Sequence, residues 1–269
     1  MPRSAPLPVV FVPGGITPVR LSYTPLLNEL GGEIEPLLKD LDLYAADEPP
    51  ADYSVQLEVD GLRRAVDAAG LDTFHLVGYS GGGAVCLAFA AQHPDRLRSL
   101  AMFEPANVPG AWEPGEREDH PELAADVITL PDDQMLAEFT RRELRPGVEP
   151  PSPPPGPPPD WMAKRPAGLR AMMRAFEADA TDREALRRCT FPVYLAYGLL
   201  TEESMVRRVR LLAGLLPDVW IEAYPGIHHF GPPQRTQPAK YAAALRQLCA
   251  RAEGGRTGST TGGDTGYAA

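Results

Sequence analysis

FHLVGYSGGG, Phe74 to Gly83, is the stretch on which the reading of this chain turns. Apolar residues run into a serine set among glycines. Phe74 to Gly78 reads as a buried strand and Gly81 to His93 as a helix, so Gly78-Tyr79-Ser80-Gly81-Gly82 falls on the turn between them. A G-x-S-x-G turn at that junction strains the backbone and holds the serine hydroxyl out at the carboxyl end of the strand. Side chains at 78 or 82 would collide with the neighbouring strand or helix, which only glycine avoids. Ser80 is then either a plain turn residue or a nucleophile, and a nucleophile needs partners elsewhere.

Outward from this turn, strands and helices alternate. Val9 to Val12 is a continuous apolar run closed by Pro13-Gly14-Gly15, as in a strand covered on both faces. Leu26 to Leu30 reads as the end of a short helix and Ile34 to Leu43 as a strand. Val55, Val59, Leu62, Val66 and Ala69 recur at helical spacing between a possible cap at Ser54 and Gly70. Leu97 to Phe103 is the next strand. The pattern resumes with the strand Pro192 to Tyr197, a helix from Glu203 to Leu216, the strand Val219 to Tyr224 and a helix from Pro238 to Arg251. Such alternation predicts an α/β fold of about six mainly parallel strands with right-handed crossovers.

Residues 105–190 interrupt this order and are too long for a connection, so they predict an inserted lid or cap. Within it Asp132 to Leu144 and Pro166 to Ala178 look helical. The tract RPGVEPPSPPPGPPPD, residues 145–160, predicts an extended, partly stiff linker. The expected organisation is a core of residues 1–104 and 191–253, the insertion between its halves, and a Gly/Thr-rich tail, 254–269, expected to be disordered.

The chain has 269 residues, 43% of them hydrophobic, enough for one such core. Acidic residues outnumber basic ones 36 to 26, for a formal charge of −10, which argues against nucleic acid as a partner. The amino-terminal apolar run is far too short to span a membrane, and the expected setting is cytoplasmic. Cys86, Cys189 and Cys249 lie far apart without metal-ligand spacing and read as small buried hydrophobes. Neither cofactor nor metal is implied, the expected partner is a small-molecule substrate, and nothing in the sequence specifies an oligomer.

The strand, elbow and helix around Ser80, with the elements on either side in order from Val9 to Arg251, resemble the α/β-hydrolase superfamily, in a serine-esterase-like form with an inserted lid. Only a short leader precedes the Val9 strand, so the amino-terminal hairpin common in the family is expected to be missing. The resemblance implies an oxyanion hole from two backbone N–H groups. One belongs to Gly81, the residue after the nucleophile. The other comes from the loop after the first central strand, usually His-Gly-x and here Pro13-Gly14-Gly15, which implies Gly15, or failing that Ile16.

A serine hydroxyl needs a base, and histidine is the natural one. Of His75, His93, His120, His228 and His229, the first two sit in a strand and at a helix end and read as structural, while His120 lies in the insertion. The family keeps its base after the last strand, as a histidine followed by an apolar or aromatic residue. His229-Phe230 fits this better than His228-His229. The family's acid usually follows the PVYLAY-like strand, where this chain reads Gly198-Leu199-Leu200-Thr201, without an acid. Some branches carry it after the preceding strand, which implies Glu104; Glu202 and Glu203 remain alternatives.

A serine at the elbow implies acyl transfer on a small or medium, mainly apolar ester, thioester or lactone, with Trp112, Phe139, Trp161, Met172, Met173 and Phe176 available to line a pocket. Carbon–carbon bond hydrolysis or cofactor-free perhydrolysis would use the same residues, and a hydrolase-like binding or regulatory protein is the alternative of another class.

Overall fold

The computed structural model describes residues 5–110, 126–152 and 155–259. Six strands form one sheet in the order β2-β1-β3-β4-β5-β6: β1 (Leu7–Val12), β2 (Ile34–Leu38), β3 (Phe74–Tyr79), β4 (Leu97–Phe103), β5 (Val193–Gly198) and β6 (Val219–Tyr224). All five pairings are parallel. From β1 the chain crosses outward to β2 and then returns to lay β3 on the other side of β1. Between β1 and β3 the order therefore reverses, and in open parallel sheets the crevice beyond the strand ends at such a point is where ligands bind.

The apolar runs are continuous because both sheet faces are covered. Leu76, Leu100, Met102 and Leu195 face a core shared with α2 (Val55–Ala68), α3 (Ser80–Gln92) and α7 (Glu203–Leu215). The alternate residues Val77, Ala101, Phe103 and Ala196 face α1 (Val19–Leu30) and α9 (Pro238–Ser259). Every residue of α3 from Ser80 to Ala90 is buried, so the helix that starts at the elbow is held from all sides. Ser54 caps α2 by accepting the Leu57 N–H at 3.2 Å.

Between β4 and β5 come α4 (Asp132–Arg142), α5 (Arg165–Glu177) and α6 (Arg183–Arg187). Val127, Met135 and Leu169 form a small core of their own, against which Phe139, Met173 and Ile16 of the β1 loop pack. After α4 the chain is tied to the loop following β5. Leu144 bridges Thr201, Arg145 N–H donates to the Leu200 carbonyl at 3.0 Å, and Glu202 N–H donates to that of Glu143 at 3.1 Å. The described residues of the proline tract contain no helix before Asp160. Trp112 and His120 lie outside the described residues.

Two expectations are corrected. The strand expected over Ile34 to Leu43 ends at Leu38, and Leu41 and Leu43 are buried around a one-turn 3-10 helix, Asp42–Tyr44. The amino-terminal helix is a full twelve residues, from Val19, with Pro25 inside it. The closing helix runs past Arg251 to Ser259, and residues 260–269 of the Gly/Thr-rich tail lie outside the described part. Two short helices carry no periodicity that could announce them, α6 and α8 (Pro233–Thr236). Among the described residues no helix is long and apolar enough to cross a membrane.

Candidate active site

Ser80 is the first residue of α3 and directly follows β3. Its φ is 51°, in the region that L side chains rarely adopt, at a typical cost of about 1–3 kcal/mol. Close packing enforces this turn. A β-carbon on Gly82 would stand 2.2 Å from the Pro13 carbonyl oxygen, and one on Gly78 would stand 2.9 Å from the Gly83 Cα. The helix is thus drawn hard against the β1 loop, and Ser80 is left at the sheet's carboxyl edge.

Glu104 is, among the described residues, the other non-glycine at positive φ, at 44°. Its N–H continues the ladder to the Ala196 carbonyl at 3.0 Å, and the chain then turns the side chain into the interior, where it is wholly buried. Both carboxylate oxygens have donors. Gly198 N–H gives 2.7 Å to Oε1, and Oε2 is 2.7 Å from His229 Nδ1. On the other side of the ring, Nε2 is 2.9 Å from Ser80 Oγ. The three side chains form one hydrogen-bonded line, in which Glu104 fixes the proton on Nδ1 and leaves Nε2 to accept from the serine hydroxyl.

His229 is held from behind as well. The Tyr79 hydroxyl donates to its carbonyl at 2.7 Å, and Leu200 N–H donates to the Ile227 carbonyl at 2.9 Å. Burial pulls the imidazole pKa down, but the Glu104 hydrogen bond and the charges of Glu143 and Glu104 outweigh it against Arg208, so the net shift is upward.

Gly81 and Gly15 come together beneath α5. A β-carbon on Gly81 would lie 3.5 Å from Gly15 N and 2.6 Å from the Met172 sulfur, and one on Gly15 would meet Leu169 and Met172 at 3.0 Å. Gly81 lies in the first turn of α3, where amides lack intrahelical acceptors and the helix dipole favours negative charge. The Gly15 carbonyl is tied down by the Tyr44 hydroxyl at 2.5 Å. Two backbone amides thus stand near Ser80 under an apolar cover.

The other sequence candidates lie elsewhere. His75 shares a 2.8 Å hydrogen bond with Ser99 early in β3, and His93 packs on Phe89 at the end of α3. His228 does not reach the serine; its pKa is lowered, first by burial, and its buried Nδ1 has no partner. Glu202 caps α7, accepting from Ser204 N–H at 2.6 Å, and Glu203 pairs with Arg145 at 3.1 Å on the surface. Thr201, in the register where the family's acid is usual, is fully buried, and its hydroxyl has no partner. Of the apolar candidates, Met172 lies over the glycines, Phe139 meets Phe230 edge-on at 6.0 Å, and Phe176 packs into the main core.

Sequence reading missed Tyr79, Gly198 and Glu143. The first two act through one hydroxyl and one amide, which no pattern marks. Glu143 directly follows α4, is buried near His229 and Arg208 with one oxygen unpartnered among the described residues, and has its pKa raised, chiefly by burial. Cys86, Cys189 and Cys249 are all buried and unpaired. No group of His, Cys, Asp and Glu among the described residues could hold a metal ion.

The family described by the α/β hydrolase fold matches residues 45–146, which include the elbow and β4. Two curated relatives are monoacylglycerol lipases of Xenopus laevis. One, abhd6-A, is 44% identical over 59 residues, 21% of this chain and 18% of its own. The other, abhd6-B, is 35% identical over 88 residues, 29% and 26% respectively. These matches span 18% and 26% of the relatives' own lengths. Among solved structures, a malate-bound thermophilic esterase from Thermogutta terrifontis superposes with a TM-score of 0.67 at 20% identity, covering 91% of this chain and 90% of that one. A hydrolase from Pseudomonas aeruginosa PA01 gives 0.65 at 17% identity, covering 91% of each. With a six-stranded parallel sheet, a strained serine elbow after β3 and a helical insertion before β5, the chain has the α/β-hydrolase fold.

Proposed function

We propose that the chain is a serine hydrolase acting through an acyl-enzyme on a small or medium, mainly apolar carboxylic ester, thioester or lactone. The observation that carries this reading is the unbroken line Ser80 Oγ, His229 and Glu104, at 2.9 and 2.7 Å. His229 Nε2 takes the hydroxyl proton as Ser80 Oγ bonds to the substrate carbonyl carbon. The oxygen of the tetrahedral intermediate faces the N–H groups of Gly81 and Gly15, which need no reorientation to receive it. When the intermediate collapses, the bond to the leaving oxygen or sulfur breaks and His229 returns the proton to it. Water, deprotonated by the same nitrogen, then attacks the acyl-serine and frees the acid. Glu104 stays ionised, orients the ring and stabilises its charged form.

In this reading residues 105–190 act as a lid. Met172 and Leu169, against Gly15 and Gly81, supply an apolar wall for the acyl group, in keeping with ester substrates. The two similar lipases and the esterase are named for the same kind of reaction.

The test is labelling with a fluorophosphonate probe, located by mass spectrometry, alongside hydrolysis of short p-nitrophenyl esters. Ser80 is expected to carry the probe, and Ser80→Ala to lose both label and turnover. A folded wild-type protein that takes no label and cleaves no ester would instead be a hydrolase-like binding protein.

A further inference from the structure

Arg165, the first residue of α5, is a buried cation that makes no close ion pair among the described residues. It is 4% exposed, and among the described residues its Nε and Nη1 have no hydrogen-bond partner. Its guanidinium lies 3.7 Å from the centre of the Tyr44 ring and 5.1 Å from that of Trp161. Burial pulls its pKa down from the usual value, against the charges of Tyr44 and Asp40 and a side-chain hydrogen bond with Tyr44. Two unsatisfied donors on a buried charge cost far more than aromatic stacking returns, unless an anion completes the site.

The position says which anion. Arg165, Leu169 and Met172 follow one another along a single face of α5 at helical spacing. Met172 and Leu169 press on Gly15 and Gly81, and the Tyr44 hydroxyl beneath Arg165 is the group bonded to the Gly15 carbonyl at 2.5 Å. A rise of 1.5 Å per residue sets Arg165 about 10 Å along the helix from Met172. An acyl chain bound at Ser80 and running under α5 would pass these apolar residues and end at the guanidinium.

We infer that Arg165 is a specificity-determining residue that binds a carboxylate at the far end of the substrate's acyl chain, so that the preferred substrates are half-esters of dicarboxylic acids. This rests on the hydrolase reading above and narrows it. Guanidinium and carboxylate pair through charge-assisted hydrogen bonds, and Nε and Nη1 are the donors still free for them.

The experiment compares p-nitrophenyl octanoate with the p-nitrophenyl half-ester of suberic acid, which differ only at the far end. The wild-type KM is expected to be at least about tenfold lower for the half-ester. Arg165→Met should abolish the difference, and Arg165→Lys should keep part of it. Equal KM values in the wild type, with octanoate turned over, would overturn this inference and leave the hydrolase reading standing. So would a preference that survives Arg165→Met. Calorimetric titration of Ser80→Ala with monomethyl suberate tests the site without turnover. Binding that disappears on adding Arg165→Met supports it even if hydrolysis fails, and no binding overturns it.

Discussion

The loops after β4 and β5 leave the sheet side by side and divide one task between them. The β4 loop supplies the carboxylate, Glu104, at positive φ. The β5 loop, where the family's acid is usual, supplies the Gly198 N–H that grips that carboxylate at 2.7 Å, and places buried Thr201 in the acid's register. An imidazole can be oriented from either strand end, because what it needs is an anion at Nδ1 and not a particular loop. In the proposed triad the acid stands one strand over from the place usual in the family, and the loop at that usual place supports it through the Gly198 N–H.

Substitutions that break this division should do so in a graded way. Glu104→Gln removes the anion and presents an amide to Nδ1, favouring the wrong tautomer, so kcat on p-nitrophenyl butyrate should fall by about 10³-fold or more. Gly82→Ala attacks the packing behind the elbow, since the added carbon would overlap the Pro13 carbonyl at 2.2 Å. Chemical denaturation should show a loss of about 1–3 kcal/mol, with activity lost alongside. Tyr79→Phe removes the 2.7 Å hydrogen bond to the His229 carbonyl and should lower kcat by about tenfold, with KM nearly constant. At the small end, Glu202→Gln and Glu203→Gln should leave kcat within about twofold, because both side chains are engaged with α7 or the surface. A large loss in either, with Glu104→Gln silent, would return the acid's role to the β5 loop.

What could be read from the sequence follows from which forces are local. Strands buried on both faces advertise themselves as apolar runs, as β3 does, and β4 ends where Phe103 gives way to Glu104. The G-x-S-x-G turn is legible because strand, turn and helix are contiguous. Leu41 and Leu43 misled because burial in a one-turn helix and burial in a strand leave the same apolar trace. The glutamates were ambiguous for another reason. Glu104, Glu202 and Glu203 all stand at strand-end loops of the same edge, and only the three-dimensional path shows that the latter two turn away to Ser204 and Arg145. Glu143 and Arg165 had no local signal, since their meaning depends on contacts with loops far away in sequence.

The pH dependence of kcat/KM tests most directly which carboxylate serves the base. His229 must be neutral to accept the serine proton, so activity rises with pH through its pKa. Burial lowers that pKa, but the Glu104 hydrogen bond and the charges of Glu143 and Glu104 raise it more, against Arg208. The wild-type acid limb should therefore lie above the ordinary imidazole value. In Glu104→Gln it should move to lower pH as the plateau falls, and in Glu202→Gln it should stay where it is. An acid limb unmoved in Glu104→Gln and displaced in Glu202→Gln would contradict the account.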